Sequence, residues 1–237
     1  MRFIRDIYAE AAAQGRPVVS FEFFTPKTDA GEARFFGEVL PELAALKPDY
    51  CSVTYGAGGS TQGRTFGMVR RIQEQFGIPA MAHLTCVGAR RSEIRSLLEQ
   101  ARADGIRNIL ALRGDPPQGA ERFEPPPDGF RYAAELVAEI RAMGGFCVGV
   151  AGFPEGHLEN PEGKHADWRH LRDKIARGAD FVLTQLFFDN GYYREFRDHL
   201  RNELGVRVPL VPGIIPIQSA RQIQRFTALC GATVPEG

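Results

Sequence analysis

Glu22 is the first residue of this chain whose surroundings predict chemistry. It stands among Phe21, Phe23 and Phe24, and alternate residues of a strand face opposite sides. We therefore expect Glu22 to point into the core of the fold while the neighbouring phenylalanines pack outward. A carboxyl group in apolar surroundings has a raised pKa, which suits a general acid. A structural glutamate paired with an arginine is the alternative.

Arg113 and Asp115 are the second feature that predicts chemistry. They follow the apolar run at residues 109–112, which is typical of a buried strand, and Pro116 and Pro117 prevent that strand from continuing. Charges at the end of a buried strand indicate a functional site. Polar residues at the ends of the other apolar runs are Thr54, Tyr55, His83, Thr85, His157, Thr184, Gln185 and Asp189.

Other residues remain ambiguous on their own. His83 has no Asp or His at ligand spacing, so a hydrogen-bonded histidine is favoured over a metal ligand. The glycine-rich loop at residues 56–60 matches neither the P-loop nor the dinucleotide pattern. Asp167 and Lys174 share one helical face, where a solvated pair is the simplest interpretation. None of the lysines falls at a strand end, which disfavours Schiff-base catalysis.

The composition limits the classes of function. The 237 residues suit a βα barrel, which takes about 250. With 29 basic and 29 acidic residues, the chain has no charge excess for nucleic acid or an anionic membrane. Four separated cysteines argue against a zinc site or disulfides, and no signal peptide or membrane span is evident. A cytoplasmic protein that binds small molecules is expected.

The elements that position these residues alternate along the chain. Strands are predicted at residues 18–24, 50–55, 80–86, 108–112, 146–150, 181–187 and 209–214. Helices are predicted at residues 4–14, 32–46, 65–76, 92–104, 132–143, 165–177, 192–202 and 219–230. Ser92 and Ser219 are the expected N-caps of two of these helices, and Pro41 is expected to kink another.

This alternation predicts an α/β fold with parallel strands joined by right-handed crossovers. An open doubly wound sheet and a closed barrel both satisfy the pattern. The first strand ends in FEFFTPKT rather than in a glycine-rich nucleotide turn, which favours the barrel. Residues 232–237 are too short and too polar for an eighth strand. The expectation is one domain over residues 1–237, a (βα)8 TIM-type barrel lacking its eighth strand.

Seven motifs at the strand ends occur in a characteristic order. Together they resemble the methylenetetrahydrofolate reductase family over nearly the whole chain. The motifs are SFEFFTPKT at 20–28, SVTYGAGGSTQGRT at 52–65, AHLTC at 82–86, ALRGDPP at 111–117, VAGFPEGH at 150–157, LTQLFFD at 183–189 and PGIIP at 212–216.

The resemblance implies an FAD-dependent barrel that is reduced by NADH or NADPH and then reduces 5,10-methylenetetrahydrofolate to 5-methyltetrahydrofolate. Glu22 matches the family's general acid, which helps to open the folate ring to an iminium ion. Asp115 matches an aspartate beside the flavin that tunes its reactivity and contacts the pterin. The positions that match substrate-binding residues are Glu22, Thr54, Gln185, Gln222 and Phe226.

The resemblance also implies a set of FAD contacts and a homo-oligomer. It changes the interpretation of Asp167 and Lys174, which would hold the ribityl and pyrophosphate region. The positions that match the family's cofactor-binding residues are Thr54, Tyr55, Ala57, His83, Arg113, Gly114, Asp115, Tyr132, Ala133, Phe153, His157, Asp167, His170 and Lys174.

The chain departs from the family pattern at three places. Thr25 replaces a proline, Phe153 replaces a tyrosine found in many bacterial members, and the family's eighth strand, its helix and a folate-contacting basic residue have no counterpart. Two alternatives therefore stay open beside the reductase. One is another flavin barrel, such as a proline-dehydrogenase-like enzyme, and the other is a shortened relative that binds FAD or folate without turnover.

Overall fold

The computed structural model describes residues 1–56, 62–116 and 123–235. Its strands are short, parallel and separated by helices, as the sequence predicts. The strands are β1 Ser20–Phe23, β2 Tyr50–Val53, β3 Ala80–Thr85, β4 Asn108–Leu112, β5 Cys147–Gly152, β6 Phe181–Thr184 and β7 Leu210–Val211.

The helices occupy the connections between the strands. There are also two π-helical turns among the described residues. Phe35–Val39 lies between the second and third α-helices, and His199–Glu203 follows the eighth. The α-helices are α1 Ile4–Ala13, α2 Asp29–Arg34, α3 Leu40–Ala44, α4 Gln62–Phe76, α5 Arg91–Ala103, α6 Ala133–Met143, α7 Lys164–Ala176, α8 Asn190–Asp198 and α9 Ala220–Cys230. None of the helices in the described part of the chain is long and apolar enough to cross a membrane.

The strands follow one another in the sheet in chain order, from β1 to β7. The predicted fold class is confirmed: this is an α/β chain of the TIM-barrel type, with seven strands in its described residues and no eighth. Contacts between Cα atoms divide the chain into two compact units, Met1–Val148 and Gly149–Gly237. The prediction of a single domain stays a prediction.

The first unit owes its core to strands that are buried on both faces. Every residue of β2 and β3 is buried, and β4 is buried except at its last residue. The apolar side chains Ile94 and Leu98 of α5 are fully buried at helical spacing. Strands covered on both sides lack the alternating pattern of a half-exposed sheet, which explains the continuous apolar runs in the sequence.

Asn108 attaches the start of α1 to β4 within the first unit. Its side chain is fully buried at the start of β4. The Oδ1 atom accepts a 2.9 Å hydrogen bond from the backbone N of Ile4, and Nδ2 donates to the carbonyl oxygen of Arg2 at 3.1 Å. The Asn108 amide thus pairs with the backbone N of Ile4, which the helix cannot pair internally, and with the carbonyl of Arg2, which precedes the helix.

The second unit packs around Trp168 and Phe196, both fully buried, with ring centroids 5.6 Å apart. The indole Nε1 donates a 2.9 Å hydrogen bond to the carbonyl oxygen of Phe153. A Cβ atom at Gly152 would lie 2.7 Å from Cγ1 of Val182 and 2.9 Å from the Phe196 ring. Only glycine therefore fits at the end of β5.

Several predicted boundaries and one predicted cap were wrong. The helix expected at 92–104 begins one residue earlier, so Ser92 lies inside it. Arg90 holds the N-cap position instead, and Oε2 of Glu93 accepts a 2.7 Å hydrogen bond from the backbone N of Arg90. The strand expected at 181–187 ends at Thr184, and the one expected at 209–214 contains two residues. The helix expected at 32–46 begins at Asp29, ends at Ala44 and contains a π-helical turn at Phe35–Val39, directly before Leu40 and Pro41.

Candidate active site

Glu22, Ser52 and His83 meet near the carboxyl ends of three adjacent strands. The parallel register places Glu22 of β1 beside Ser52 of β2, and Ser52 beside Met81 of β3. The hydroxyl of Ser52 donates to Oε2 of Glu22 at 3.3 Å, and Nε2 of His83 lies 3.3 Å from the same oxygen. The sequence analysis selected Glu22 and His83 but missed Ser52, whose only distinguishing mark is a hydroxyl inside an apolar strand.

The predicted raised pKa of Glu22 was wrong. Burial alone would raise it, but the contact with His83 and the hydrogen bond from Ser52 outweigh that effect, so the pKa is lowered from 4.5. The side chain also keeps 45% of its surface exposed, whereas that of His83 keeps 8%. A carboxylate with two polar neighbours and access to water is ionised at neutral pH.

Thr54 lies at the centre of a hydroxyl network at the end of β2. Its carbonyl oxygen accepts hydrogen bonds from the Thr25 hydroxyl at 2.6 Å and from the Thr65 hydroxyl at 3.0 Å. The backbone N of Thr25 also donates to the Thr54 hydroxyl at 3.4 Å. Thr25 therefore links the loop after β1 to β2 and α4. Burial raises the pKa of the adjacent Tyr55 to about 12.

The segment after β4 turns sharply at Gly114. Its φ of +90° favours glycine, and a Cβ atom there would lie 3.0 Å from Thr85 and 3.0 Å from Val87. Arg113 donates from Nε to the Gly114 carbonyl at 3.2 Å. Asp115 is exposed, and it forms no ion pair or hydrogen bond within the part of the chain that the structure describes. Packing against Thr85 and Val87, together with the positive φ, therefore explains the glycine at this turn.

In the second unit, Asp167 and Lys174 interact across two turns of α7. Burial raises the pKa of Asp167, against the charges of Lys174, His157 and His170. Burial lowers the pKa of Lys174 to about 8, against the charge of Asp167. The ammonium group of Lys174 donates a 2.7 Å hydrogen bond to the Ala151 carbonyl at β5. The pair is thus not a solvated surface pair.

Phe153 and His157 form the loop that follows β5. Their rings pack edge to face with centroids 4.6 Å apart, and Nδ1 of His157 accepts a 3.1 Å hydrogen bond from the backbone N of Glu159. His170 is exposed on α7. The loop, Asp167 and Lys174 therefore form one cluster, rich in groups that can be cationic.

The remaining predicted site residues occupy the following positions. Tyr132 is 55% exposed and is the N-cap residue of α6, and Ala133 is the first residue of that helix. Gln185 follows β6, and its backbone N donates to the Gly152 carbonyl at 2.8 Å. Gln222 and Phe226 lie one turn apart on α9. Ala57 lies outside the described residues.

The fold and these strand-end clusters define an α/β protein of the TIM-barrel class, in which sites follow the carboxyl ends of strands. The sequence profile of methylenetetrahydrofolate reductase matches residues 7–237. This chain belongs to the methylenetetrahydrofolate reductase family.

Individual relatives agree with this assignment. The chain is 40% identical over 227 residues to 5,10-methylenetetrahydrofolate reductase of Pectobacterium carotovorum subsp. carotovorum, covering 95% of this chain and 72% of that protein. It is 39% identical over 236 residues to methylenetetrahydrofolate reductase (NADH) 1 of Zea mays, covering 95% of this chain and 40% of that protein. The chain thus spans about two fifths of the length of the plant relatives that it matches.

A solved structure shares the fold. It is a Clostridium thermocellum protein that binds two copies of 5-methyl-5,6,7,8-tetrahydrofolic acid, with a TM-score of 0.63 and 16% sequence identity. The match covers 97% of this chain and 76% of that chain. At this identity the likeness concerns the fold alone.

Proposed function

We propose that this chain reduces 5,10-methylenetetrahydrofolate to 5-methyltetrahydrofolate, with FAD as cofactor and NADH or NADPH as hydride donor. When bound, FAD would supply the redox chemistry that relays a hydride between the nicotinamide and the folate in a ping-pong sequence. The observation that carries the proposal is the Glu22 carboxyl group, held by Ser52 and His83 near the end of β1. Family membership supports the substrate.

Glu22 supplies the proton that opens the folate ring. The bond between the methylene carbon and N10 breaks, its electron pair stays on N10, and N10 takes the proton from Glu22. Because the carboxylate is ionised in the free protein, it takes up that proton from water before the ring opens. A pterin ring that covers the exposed part of Glu22 excludes water from the carboxyl group and so favours its protonated form.

The residues of this chain fit an anionic dinucleotide. Lys174 is held in a site where burial lowers its pKa to about 8, a cost that the negative charge of a pyrophosphate would offset. Asp167, His157 and His170 would then complete the cofactor contacts beside Lys174.

The other proposed roles follow from position. Asp115 is exposed after β4, where a carboxylate can act on both the flavin and the pterin. Gln185, Gln222 and Phe226 would hold the folate, the two amides through hydrogen bonds and the ring through stacking. The Zea mays relative's name specifies NADH, which supports NADH as the first donor to test.

The substitution Glu22→Gln tests this function. Anaerobic NADH should bleach the flavin of both the variant and the parent, whereas reoxidation by methylenetetrahydrofolate should slow about 100-fold or more in the variant, the usual contribution of a general acid. Glu99→Gln on the exposed face of α5 is the matched control. Equal losses in both half-reactions would contradict the role of Glu22.

The two alternatives make different predictions in the same experiment. A proline-dehydrogenase-like enzyme would reduce its flavin with an amino acid and leave methylenetetrahydrofolate untouched. A binding protein without turnover would take up FAD or folate, but its flavin would not be bleached by NADH and reoxidised by the folate. Stopped-flow absorbance at the flavin band distinguishes all three.

A further inference from the structure

Both polar contacts of Glu22 converge on one of its two carboxyl oxygens. The Ser52 hydroxyl and Nε2 of His83 each lie 3.3 Å from Oε2. No group within residues 1–56, 62–116 and 123–235 hydrogen-bonds to Oε1. The two oxygens of the carboxyl group therefore differ in the free protein: Oε2 has polar contacts with Ser52 and His83, whereas Oε1 can face a ligand.

We propose that Ser52 and His83 are positioning residues that hold Oε2 of Glu22 and so assign Oε1 as the oxygen that transfers the proton to the folate. This inference rests on the proposed function and goes beyond it, because it names the reacting oxygen and gives Ser52 a role. The family resemblance implies that His83 contacts the cofactor, and this inference gives His83 a second role, which is to position Glu22.

The two residues that contact Oε2 are buried on paired strands. Ser52 is 3% exposed and lies on β2, which pairs with β1 on one side and β3 on the other. His83 is 6% exposed and pairs with Leu110 of β4. A glutamate carboxyl group otherwise rotates in a broad, roughly two-fold well about its last torsion. Two fixed contacts on Oε2 restrict that rotation and direct Oε1.

His83 has a second property that supports this arrangement. Its buried Nε2 forms no hydrogen bond of good geometry within the described residues, although Oε2 of Glu22 lies at 3.3 Å. A small rotation of the Glu22 carboxyl group would satisfy both atoms. Catalytic hydrogen bonds are often long in a free enzyme and tighten when the substrate binds.

The same contacts assist proton transfer chemically. Oε1 gives its proton to N10, the carbon to N10 bond breaks towards nitrogen, and Glu22 is left as a carboxylate. The Ser52 hydrogen bond to Oε2 and the nearby His83 ring stabilise that carboxylate and so make the carboxyl group a stronger acid. Water then returns the proton to Oε1 through the exposed side of Glu22.

Within the described residues, the side chains that shift the pKa of Glu22 are those of His83 on β3 and Ser52 on β2. Tyr50 on β2 is also linked to Glu22, because its pKa is raised mainly by burial and also by the charge of Glu22. The effect of a substitution at Ser52 or His83 on the ionisation of Glu22 can therefore be assigned to that contact.

The test compares Ser52→Ala and His83→Gln with Ser92→Ala, an exposed serine on α5. In the FAD-saturated protein, the maximal rate of flavin reoxidation by methylenetetrahydrofolate should fall about tenfold in Ser52→Ala, the usual effect of losing one hydrogen bond to a charged group. His83→Gln retains an N–H donor and should lose less than His83→Phe. Ser92→Ala should match the parent.

A second readout does not depend on turnover. The ¹³C resonance of the Glu22 carboxyl carbon, followed against pH in the full chain, reports its ionisation directly. Because each contact lowers the pKa of Glu22, Ser52→Ala and His83→Phe should both move the titration to higher pH. The pH profile of the folate half-reaction should move in the same direction, which a purely structural role of Ser52 would not produce.

Two outcomes would overturn the inference. One is an unchanged Glu22 titration in both variants, whatever the activity. The other is wild-type reoxidation in Ser52→Ala and His83→Phe. If the parent chain binds FAD but never reduces the folate, the proposed function fails, and the carboxyl titration still decides whether Ser52 and His83 hold Glu22.

Discussion

At the scale of single residues, charge and burial oppose each other at Glu22 and at Lys174. The carboxyl group of Glu22 is ionised more easily than in water because His83 and Ser52 stabilise its charge. The ammonium group of Lys174 is ionised less easily because burial outweighs the charge of Asp167. Glu22 is a carboxylate that must take up a proton from water before it can act as an acid, and Lys174 is a buried amine whose protonated form an anionic ligand would stabilise.

The pH dependence of FAD binding tests the second site. Lys174 loses its proton as the pH rises through about 8, so the affinity for FAD should fall between pH 7 and pH 9. Lys174→Met should bind FAD about tenfold more weakly at pH 7, the scale of one charge-assisted hydrogen bond, and should lose that pH dependence. Equilibrium titration of flavin fluorescence measures both effects.

Lys164→Met is the control for this prediction. Lys164 pairs with Glu195 at 2.7 Å on the surface of the second unit, so its removal should leave FAD affinity and its pH profile unchanged. An identical pH profile in the parent and in Lys174→Met would contradict the assigned role of Lys174.

Lys174 also makes the stability of the protein without FAD depend on pH. The unfolded chain, with a lysine pKa of 10.5, binds more protons between pH 8 and 10.5 than the folded chain does. The contribution of this group to the free energy of unfolding therefore rises with pH across that interval. Bound FAD, by stabilising the protonated form, would reduce that rise.

At the scale of single elements, the helix ends show how local contacts decide the stability of the fold. The hydroxyl of Ser219 accepts a 3.2 Å hydrogen bond from the backbone N of Gln222 and caps α9, as predicted. We expect Ser219→Ala to lower the free energy of unfolding by about 1 kcal/mol, the usual value of such a cap. Urea denaturation followed by circular dichroism measures the loss.

Ser92→Ala is the matched comparison for this cap. Because Ser92 lies inside α5 and the hydrogen bond at the N-terminus of that helix comes from Glu93, the substitution should not lower stability, and alanine favours helix. A loss at Ser92 as large as that at Ser219 would show that the helix begins where the sequence analysis placed it.

The attachment of α1 depends on Asn108. Asn108→Ala would leave the backbone N of Ile4 and the carbonyl of Arg2 without their buried partner. We expect a loss of about 2–3 kcal/mol, since a buried polar group that loses its partner incurs the desolvation penalty. The measurement is urea denaturation with Asn202→Ala, an exposed position, as the control. A similar small loss in both variants would contradict this account.

At the scale of the whole molecule, the sheet suggests self-association. Each edge strand pairs on one side only: β1 is bonded to β2 and β7 to β6 within the described residues. Unpaired strand edges are covered in stable proteins. We predict a homo-oligomer, to be measured by sedimentation equilibrium across a range of protein concentrations. A monomer at every concentration would contradict this prediction.

The length of the chain determines how its activity must be tested. It covers 72% of the Pectobacterium relative and 40% of the Zea mays relative. The two half-reactions therefore have to be measured on this chain itself, because the activity of a longer relative does not transfer to it.

The sequence by itself determined the fold class, and it predicted most of the residues of the candidate site. Buried parallel strands produce continuous apolar runs, and the helices between them produce a 3.6-residue period, so both are visible locally. Glu22 and Arg113 stood out because charged residues are rare in or at the ends of such runs. Lys174 stood out because it matches a position that binds the cofactor in the family. The cap at Ser219 was equally local, since its partner lies three residues away.

Only the tertiary structure decided how these residues interact. Ser52 meets Glu22 across 30 positions of sequence and Asn108 meets Ile4 across 104, and neither pairing leaves a periodic pattern. The direction in which the pKa of Glu22 is shifted could likewise not be predicted from the sequence. An apolar sequence context predicts burial, but it does not predict that the His83 and Ser52 side chains approach Glu22 from neighbouring strands. A pKa and a hydrogen bond depend on distances in space, whereas a local sequence pattern encodes which face of an element is buried.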